Sequence, residues 1–241
     1  MAQSRYYLDS RSPRYSFLFA FPLLVAYEVI AWVLSPDREG VRNGADVVFK
    51  SVFLALGGPR AVLGFEVALV LLGVVVVARD WRRHPGGLRA AVFGGMIAES
   101  TLLAILVGVV LGRLTATLVH YLAVANGPSF DTSTKLMISL GAGFYEELLF
   151  RVVLVGALAA FGTRVLKWTP RVAGTAACVL GALLFSAFHY VGPYGDHLQL
   201  SSFVFRFLAG LTFSALYLLR GFGITAWTHA LYDIFVTLGG G

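Results

Sequence analysis

The chain is built from apolar runs long enough to cross a lipid bilayer, and this restricts its fold more than any other feature. A helix needs about 20 apolar residues to span the hydrocarbon core. Soluble domains are typically about 45–50% apolar, whereas this chain is 58% hydrophobic with a mean hydropathy of +0.78. Within lipid, continuous apolar runs satisfy their backbone hydrogen bonds as helices. The sequence therefore predicts an all-α, polytopic transmembrane bundle, with residues 1–241 forming a single membrane domain.

Seven runs are predicted to cross the membrane. Between the first two, the mixed segment 37–60 contains a predicted short interfacial helix at 46–56. The run 115–125 is too short to cross comfortably, so it is predicted to be re-entrant or interfacial, or else to add an eighth span. No internal repeat or domain boundary is visible. The seven predicted spans are residues 15–34, 61–78, 88–111, 135–161, 172–190, 200–219 and 222–238.

The basic residues lie mainly between the apolar runs, which indicates an orientation in the membrane. Because Lys and Arg concentrate in cytoplasmic loops, the N-terminus, the loops 79–89 and 162–171, and Arg220 are predicted to be cytoplasmic. The loops 126–134 and 191–199 contain no Lys or Arg, which agrees with the opposite side. The net charge of +6 is explained in this way, and nucleic acid is not expected as a partner. The expected location is the bacterial inner (plasma) membrane, as a multi-pass integral protein.

Two adjacent glutamates and an arginine lie in the middle of the fourth predicted span, within residues 144–151. Charged residues at membrane depth cost about 2.5–3.5 kcal/mol each on insertion scales, so an ordinary membrane anchor would not carry them. In an α-helix Glu147 and Arg151 share a face, which predicts an internal ion pair. Glu146 points about 100° away from Glu147. It lacks such a partner and is predicted to remain available for chemistry.

Two later spans also place ionisable groups at membrane depth. Phe185 and His189 are one helical turn apart and share a face, as do His229 and Asp233. Lipid cannot solvate these groups, so they are expected to face a polar cavity together with Glu146. The site is therefore predicted to be formed by the last four helices.

A carboxylate combined with two histidines is typical of hydrolysis. Glu146 can deprotonate a water held against His189, and His229, oriented by Asp233, can donate to an oxyanion. Alternatively, Glu146, His189 and His229 could ligate zinc or another divalent metal. The His-Glu-x-x-His helix of zinc proteases is absent. The residues are compatible with a site that binds a divalent metal and with a site that uses no cofactor.

The order of these motifs resembles the CPBP family of intramembrane proteases. This family contains CAAX prenyl proteases and bacteriocin-processing proteins, also called Abi proteins. The resemblance covers about residues 136–238, predicted to be the catalytic core, whereas residues 1–130 are similar only in being hydrophobic and are predicted to be variable N-terminal spans. The segments 206–210 and 223–227 also resemble the family. The motifs are Glu146-Glu147 followed by Arg151, Phe185 followed by His189, and His229 followed by Asp233.

The resemblance implies a glutamic or metal-dependent endopeptidase. Glu146 would be the general base assisted by His189, and His229 and Asp233 would line the oxyanion hole. Glu147 and Arg151 would support the site. One position departs from the commoner pattern, because Asn often occurs where this chain has Asp233. An ionised Asp cannot donate to an oxyanion, so Asp233 is expected to be protonated or to orient His229.

The resemblance also implies a membrane-anchored protein or peptide as substrate, cleaved near its C-terminus or its membrane anchor. A prenylated protein, a bacteriocin or other peptide, and a C-terminal sorting anchor are all compatible. Two other functions remain open from the residues. One is a proton-coupled transporter that uses the buried Glu and His as a relay, although transporters commonly show repeats. The other is a non-proteolytic scaffold or immunity factor. His189 lies near the outer end of its span, which predicts a site that opens outward.

Overall fold

The computed structural model describes residues 5–34, 40–118, 130–192 and 195–239, and side chains are described there except at 115–118. These residues form helices joined by short connections, and none of them lies in a strand, so the all-α prediction is confirmed. The helices are α1 (Arg5–Arg11), α2 (Pro13–Leu34), α3 (Gly44–Arg83), α4 (Ala90–Leu118), α5 (Thr132–Gly141), a π-helical segment (Ala142–Val155), α6 (Gly156–Arg164), α7 (Pro170–Phe188), α8 (Leu200–Arg220) and α9 (Phe222–Leu238).

Within the described ranges, five helices are long and apolar enough to cross a membrane: α2, α3, α4, α7 and α8. The transmembrane helical bundle is thus confirmed, and the protein is an integral membrane protein. Helix α9 has 17 residues and is slightly shorter than these five. The helical stretch from α5 to α6 is continuous but changes helix type twice. The count of seven or eight spans therefore stays a prediction.

Helix α3 combines two elements that the sequence predicts separately, the interfacial helix at 46–56 and the span at 61–78. The two arms meet at Gly57 and Gly58, whose backbone angles are not helical. Gly58 has a φ of 67°, which favours glycine because it has no Cβ. Pro59 follows and lacks the backbone donor of a continuing helix. In the run 115–125, residues up to 118 continue α4 and the rest lies outside the described residues.

The principal core lies between α2, α5, the π-helical segment and α9. It contains Tyr27 and Tyr145, whose ring centroids are 5.4 Å apart in an edge-on contact. Small residues of α9, Ala226 and Ala230, complete it and are fully buried. Many apolar side chains of α3 and α4 are instead exposed. Exposed apolar faces of this kind suit a lipid environment.

Polar contacts join the N-terminal region to the loop before α4 and to the end of α8. Arg14 donates to the carbonyl of His84 at 2.8 Å. Arg220 donates to Glu99 from Nε at 2.5 Å, and the Tyr6 hydroxyl donates to the same carboxylate at 2.6 Å. Three of the four regions that the charge pattern assigns to the cytoplasmic side therefore lie together, namely the N-terminus, the loop 79–89 and Arg220.

We expect cysteine labelling to reveal this orientation. In a Cys178→Ser background, single cysteines replacing His84 or Lys167 should react with a membrane-impermeant maleimide from the cytoplasmic side. A cysteine replacing His197 should react from the opposite side, because its loop follows one further crossing through α7. All three native side chains are exposed. Labelling of positions 84 and 197 from the same side would contradict the predicted topology.

Candidate active site

The Glu-Glu motif lies in a π-helical segment, Ala142–Val155, that continues α5 and leads directly into α6. The predicted helix is therefore present, but its type in this region is π and not α. A π-helix has i→i+5 hydrogen bonds and is rare in proteins. The π-helices that do occur are frequently found at functional sites. The predicted separation of Glu146 from Glu147 used the angle of 100° between successive side chains of an α-helix. That angle does not apply to a π-helical segment. Their separate surroundings arise from different partners, which are Arg151 and His229 for Glu147 and Asn43 for Glu146.

The π-helical segment and α9 approach each other closely at Gly143. A Cβ atom at this position would lie 2.5 Å from the carbonyl oxygen of Ala226 and 2.7 Å from the Cβ of Ala230. Any larger side chain would push the two helices apart. Glycine here therefore allows His229 of α9 to reach the carboxylates of the π-helical segment.

Glu147 has two cationic or protonated partners in the interior. Arg151 Nη1 lies 3.1 Å from Glu147 Oε1, and His229 Nδ1 forms a hydrogen bond to the same oxygen at 2.6 Å. The side chains of Glu147 and Arg151 are 0% and 1% exposed. The predicted ion pair is present, but it is not self-contained. Through Glu147 it also holds the histidine of another helix.

The arginine of this pair is surrounded by aromatic rings. The guanidinium carbon of Arg151 lies 4.5 Å from the ring centroid of Phe185 and 5.6 Å from that of Phe213. Apart from the ion-pair contact of Nη1 with Glu147, its guanidinium nitrogens have no partner with hydrogen-bond geometry among the described residues. Cation–π attraction is strongest when the cation is desolvated. The two rings therefore compensate part of the cost of burying Arg151.

Glu146 also has a partner, which corrects the prediction that it is unpaired. Its Oε1 accepts a hydrogen bond of 2.8 Å from Nδ2 of Asn43. Both residues are buried, at 7% and 2% exposure. Glu146 also lies within electrostatic range of His189 and His229. Asn43 is the N-cap residue of α3, so the prediction that the site is formed by the last four helices alone is incomplete.

His189 follows the last residue of α7 and caps that helix. Its Nδ1 donates to the carbonyl of Phe185 at 2.8 Å. A carbonyl can only accept, so this bond assigns the proton to Nδ1 and leaves Nε2 as an acceptor in the neutral ring. The Phe185 ring contacts the imidazole edge-on at a centroid distance of 4.8 Å. The predicted shared face of these two residues is thus observed.

His229 is held by Phe213 and Glu147. Its imidazole stacks on Phe213 at 4.3 Å with an interplanar angle of 18°. Its Nε2 lies 3.7 Å from Asp233 Oδ2, which is too long for a hydrogen bond. The hydrogen bond that orients this ring therefore comes from Glu147, whereas the sequence assigned that role to Asp233. Phe213 was not predicted, because a phenylalanine in an apolar run carries no signal of such a contact.

The alternative prediction is that Glu146, His189 and His229 ligate a divalent metal. Zinc sites in proteins use three or four His, Cys, Asp or Glu ligands at short distances. Among the residues that the structure describes, no three such side chains are placed so that they could hold a metal ion. Glu146, His189 and His229 therefore do not form a ready set of metal ligands.

The structure places the carboxylate of Glu146, the imidazoles of His189 and His229, and the Glu147–Arg151 ion pair within one buried region of a membrane bundle. Residues 128–235, somewhat less than half of the chain, match the family model described as Type II CAAX prenyl endopeptidase Rce1-like. This match confirms the predicted resemblance of residues 128–235 to the CPBP family of CAAX-type intramembrane proteases. No curated protein and no solved structure matches the chain.

We expect the buried pair to be coupled in stability. Arg151→Met should lower the free energy of unfolding by about 3–5 kcal/mol, since it leaves a buried carboxylate with less compensation. The double variant Glu147→Gln with Arg151→Met should be more stable than Arg151→Met alone, because both charges are removed and Gln keeps an acceptor for His229. Thermal unfolding of the purified protein in detergent measures this. A double variant as unstable as the sum of the single variants would contradict the coupling.

Proposed function

We propose that the protein is an intramembrane endopeptidase that cleaves a peptide bond near the C-terminus or membrane anchor of a membrane-associated protein or peptide, with Glu146 activating the attacking water. The observation that carries this proposal is the meeting of Glu146, His189 and His229 in one buried region. The family match over the same residues supports it. Burial in the bundle removes bulk water, so the few water molecules that enter are oriented by these groups.

The proposed step begins with a water between Glu146 and His189. One carboxylate oxygen of Glu146 accepts from Asn43, which leaves the other to accept a proton from water. His189 donates from Nδ1 to a carbonyl, so its Nε2 can accept the second hydrogen of the same water. Two acceptors of this kind orient the water oxygen towards a substrate carbonyl.

The proposed chemistry balances without a further reactant. Glu146 takes a proton from the water, and the hydroxyl oxygen forms a bond to the scissile carbonyl carbon. The resulting tetrahedral intermediate collapses, the C–N bond breaks, and the proton passes from Glu146 to the leaving nitrogen. One water molecule is consumed, and the products are a carboxylic acid and an amine.

His229 is proposed to stabilise the oxyanion of this intermediate. With Nδ1 hydrogen-bonded to Glu147, an imidazole protonated on both nitrogens presents Nε2–H as a donor. Donors that are already oriented before the reaction stabilise the developing charge without reorganisation. The stacking on Phe213 and the bond to Glu147 supply this orientation. Asp233 then acts beside Nε2 and not as the main support of the ring.

We expect Glu146→Gln to lower cleavage by about 10²–10⁴-fold, the usual contribution of a general base. Gln still accepts from Asn43 but cannot take a proton. The matched control is Glu66→Gln, since Glu66 contacts Lys50 away from the site. Protein C-termini in membranes of the native host can be mapped by mass spectrometry for the wild type and both variants.

Termini that persist with Glu66→Gln and vanish with Glu146→Gln would support the proposal and identify the substrate class. An unchanged set of termini, with Glu146→Gln inserted at the wild-type level, would contradict it and favour a non-proteolytic role.

Asp233 offers a second test of the oxyanion site. Asp233→Asn should keep cleavage within about tenfold of the wild type, because an amide can still contact His229 and can itself donate to the oxyanion. Asp233→Leu should lower cleavage by about 10²-fold or more, the scale of a lost oxyanion contact. The same termini, quantified over time, report both rates. Equal loss in the two variants would mean that the carboxylate charge itself is required.

A further inference from the structure

We propose that Asn43 is a positioning residue for Glu146, so that the N-terminal half of the chain completes the catalytic site. This inference rests on the proposed function for its catalytic meaning. Asn43 lies outside residues 128–235, the region that matches the protease family. It is separated from Glu146 by 103 positions in the sequence.

The side-chain amide of Asn43 has a defined orientation. Its Oδ1 accepts from the backbone N–H of Ala45 at 2.9 Å, which is the capping bond at the start of α3. The oxygen is thereby assigned to the helix end, and the NH₂ group is directed to Glu146 at 2.8 Å. An amide whose oxygen is held by a cap cannot flip without losing both bonds.

The backbone of Asn43 is held as well. Its N–H donates to the hydroxyl of Tyr27 at 3.1 Å, and that hydroxyl donates to Asp46 at 2.8 Å. Gly141, just before the π-helical segment, packs against both Tyr27 and Asn43. A Cβ atom there would lie 2.6 Å from the Tyr27 ring and 2.8 Å from the Cβ of Asn43. The donor is therefore fixed relative to the helix that carries Glu146.

A neutral amide donor suits this role. It occupies one oxygen of Glu146 and directs the other towards the water. A lysine or arginine in the same place would form a full ion pair with Glu146. That ion pair would favour the ionised carboxylate and make it a weaker proton acceptor for the water. Asn43 contacts Glu146 and not the reacting atoms, so its loss should slow the chemical step and leave substrate binding unchanged.

The test must separate the cap from the donor. Asn43→Ser keeps the cap, because serine is as good an N-cap residue as asparagine, but its side chain is too short to replace the amide donor at Glu146. Asn43→Ala removes both functions. The matched control is Asp131→Ala, since Asp131 caps α5 through the backbone N–H of Thr134 at 3.1 Å and is exposed.

The first measurement requires no substrate. The carboxylate stretching band of Glu146 is assigned in the purified protein by infrared difference spectroscopy against Glu146→Gln. Asn43→Ser should shift this band while the unfolding temperature stays near that of the wild type. Asp131→Ala should lower the unfolding temperature and leave the band in place. A band that does not move in Asn43→Ser would overturn the inference.

The second measurement uses a peptide that covers the cleavage site found by mapping C-termini. Asn43→Ser should lower kcat by up to about 100-fold, as expected for a displaced catalytic group, with KM unchanged, and Asp131→Ala should keep the wild-type kcat. If Asn43→Ser keeps the wild-type kcat while Glu146→Gln is inactive, the inference about Asn43 is overturned and the proposed function is not. Full activity of Glu146→Gln would instead overturn the proposed function, while the infrared result would still decide the contact.

Discussion

The arrangement of the membrane core depends on one oxygen atom, Oε1 of Glu147, which Arg151 and His229 share. A bilayer offers no water to solvate these groups, so each must find its compensation inside the protein. Within its own helix, Arg151 supplies the compensating charge for Glu147. The second partner, His229, comes from α9. The hydrogen bond between Glu147 and His229 therefore stabilises the packing of α9 against the π-helical segment. Gly143 leaves the space for that approach.

Aromatic rings then give this polar centre a rigid frame. Phe213 stacks on His229 and Phe185 contacts His189, while both rings face the guanidinium of Arg151. These ring contacts limit the rotation of both imidazoles. Rigid placement of donors and acceptors before substrate arrives is a main source of catalytic stabilisation. The same contacts that make burial of the charges tolerable thus also orient the groups proposed to act on the substrate.

The N-terminal helices do more than enclose the region that matches the protease family. Through the cap of α3 they bring Asn43 to Glu146, and through Tyr27 they hold that cap against the core. The two adjacent glutamates accordingly have different surroundings. Glu147 meets charged or protonated partners, whereas Glu146 meets a neutral amide and lies near two imidazoles. This difference supports the proposal that Glu147 stabilises the site and Glu146 carries out the chemistry.

Much of this protein follows from local sequence. Apolar runs predict membrane helices because lipid leaves the backbone no other partners, and spacings of four predict the Glu147–Arg151 and Phe185–His189 contacts. Contacts between distant residues could not be predicted this way: Asn43 with Glu146, and His229 with Glu147, span 103 and 82 positions. The π-helical backbone and the stacking of Phe213 likewise depend on how neighbouring helices pack. The sequence by itself determined the membrane bundle and the residues able to do chemistry, because both depend on composition and helical spacing. The tertiary structure alone decided which partner each group meets, because that depends on distances between helices.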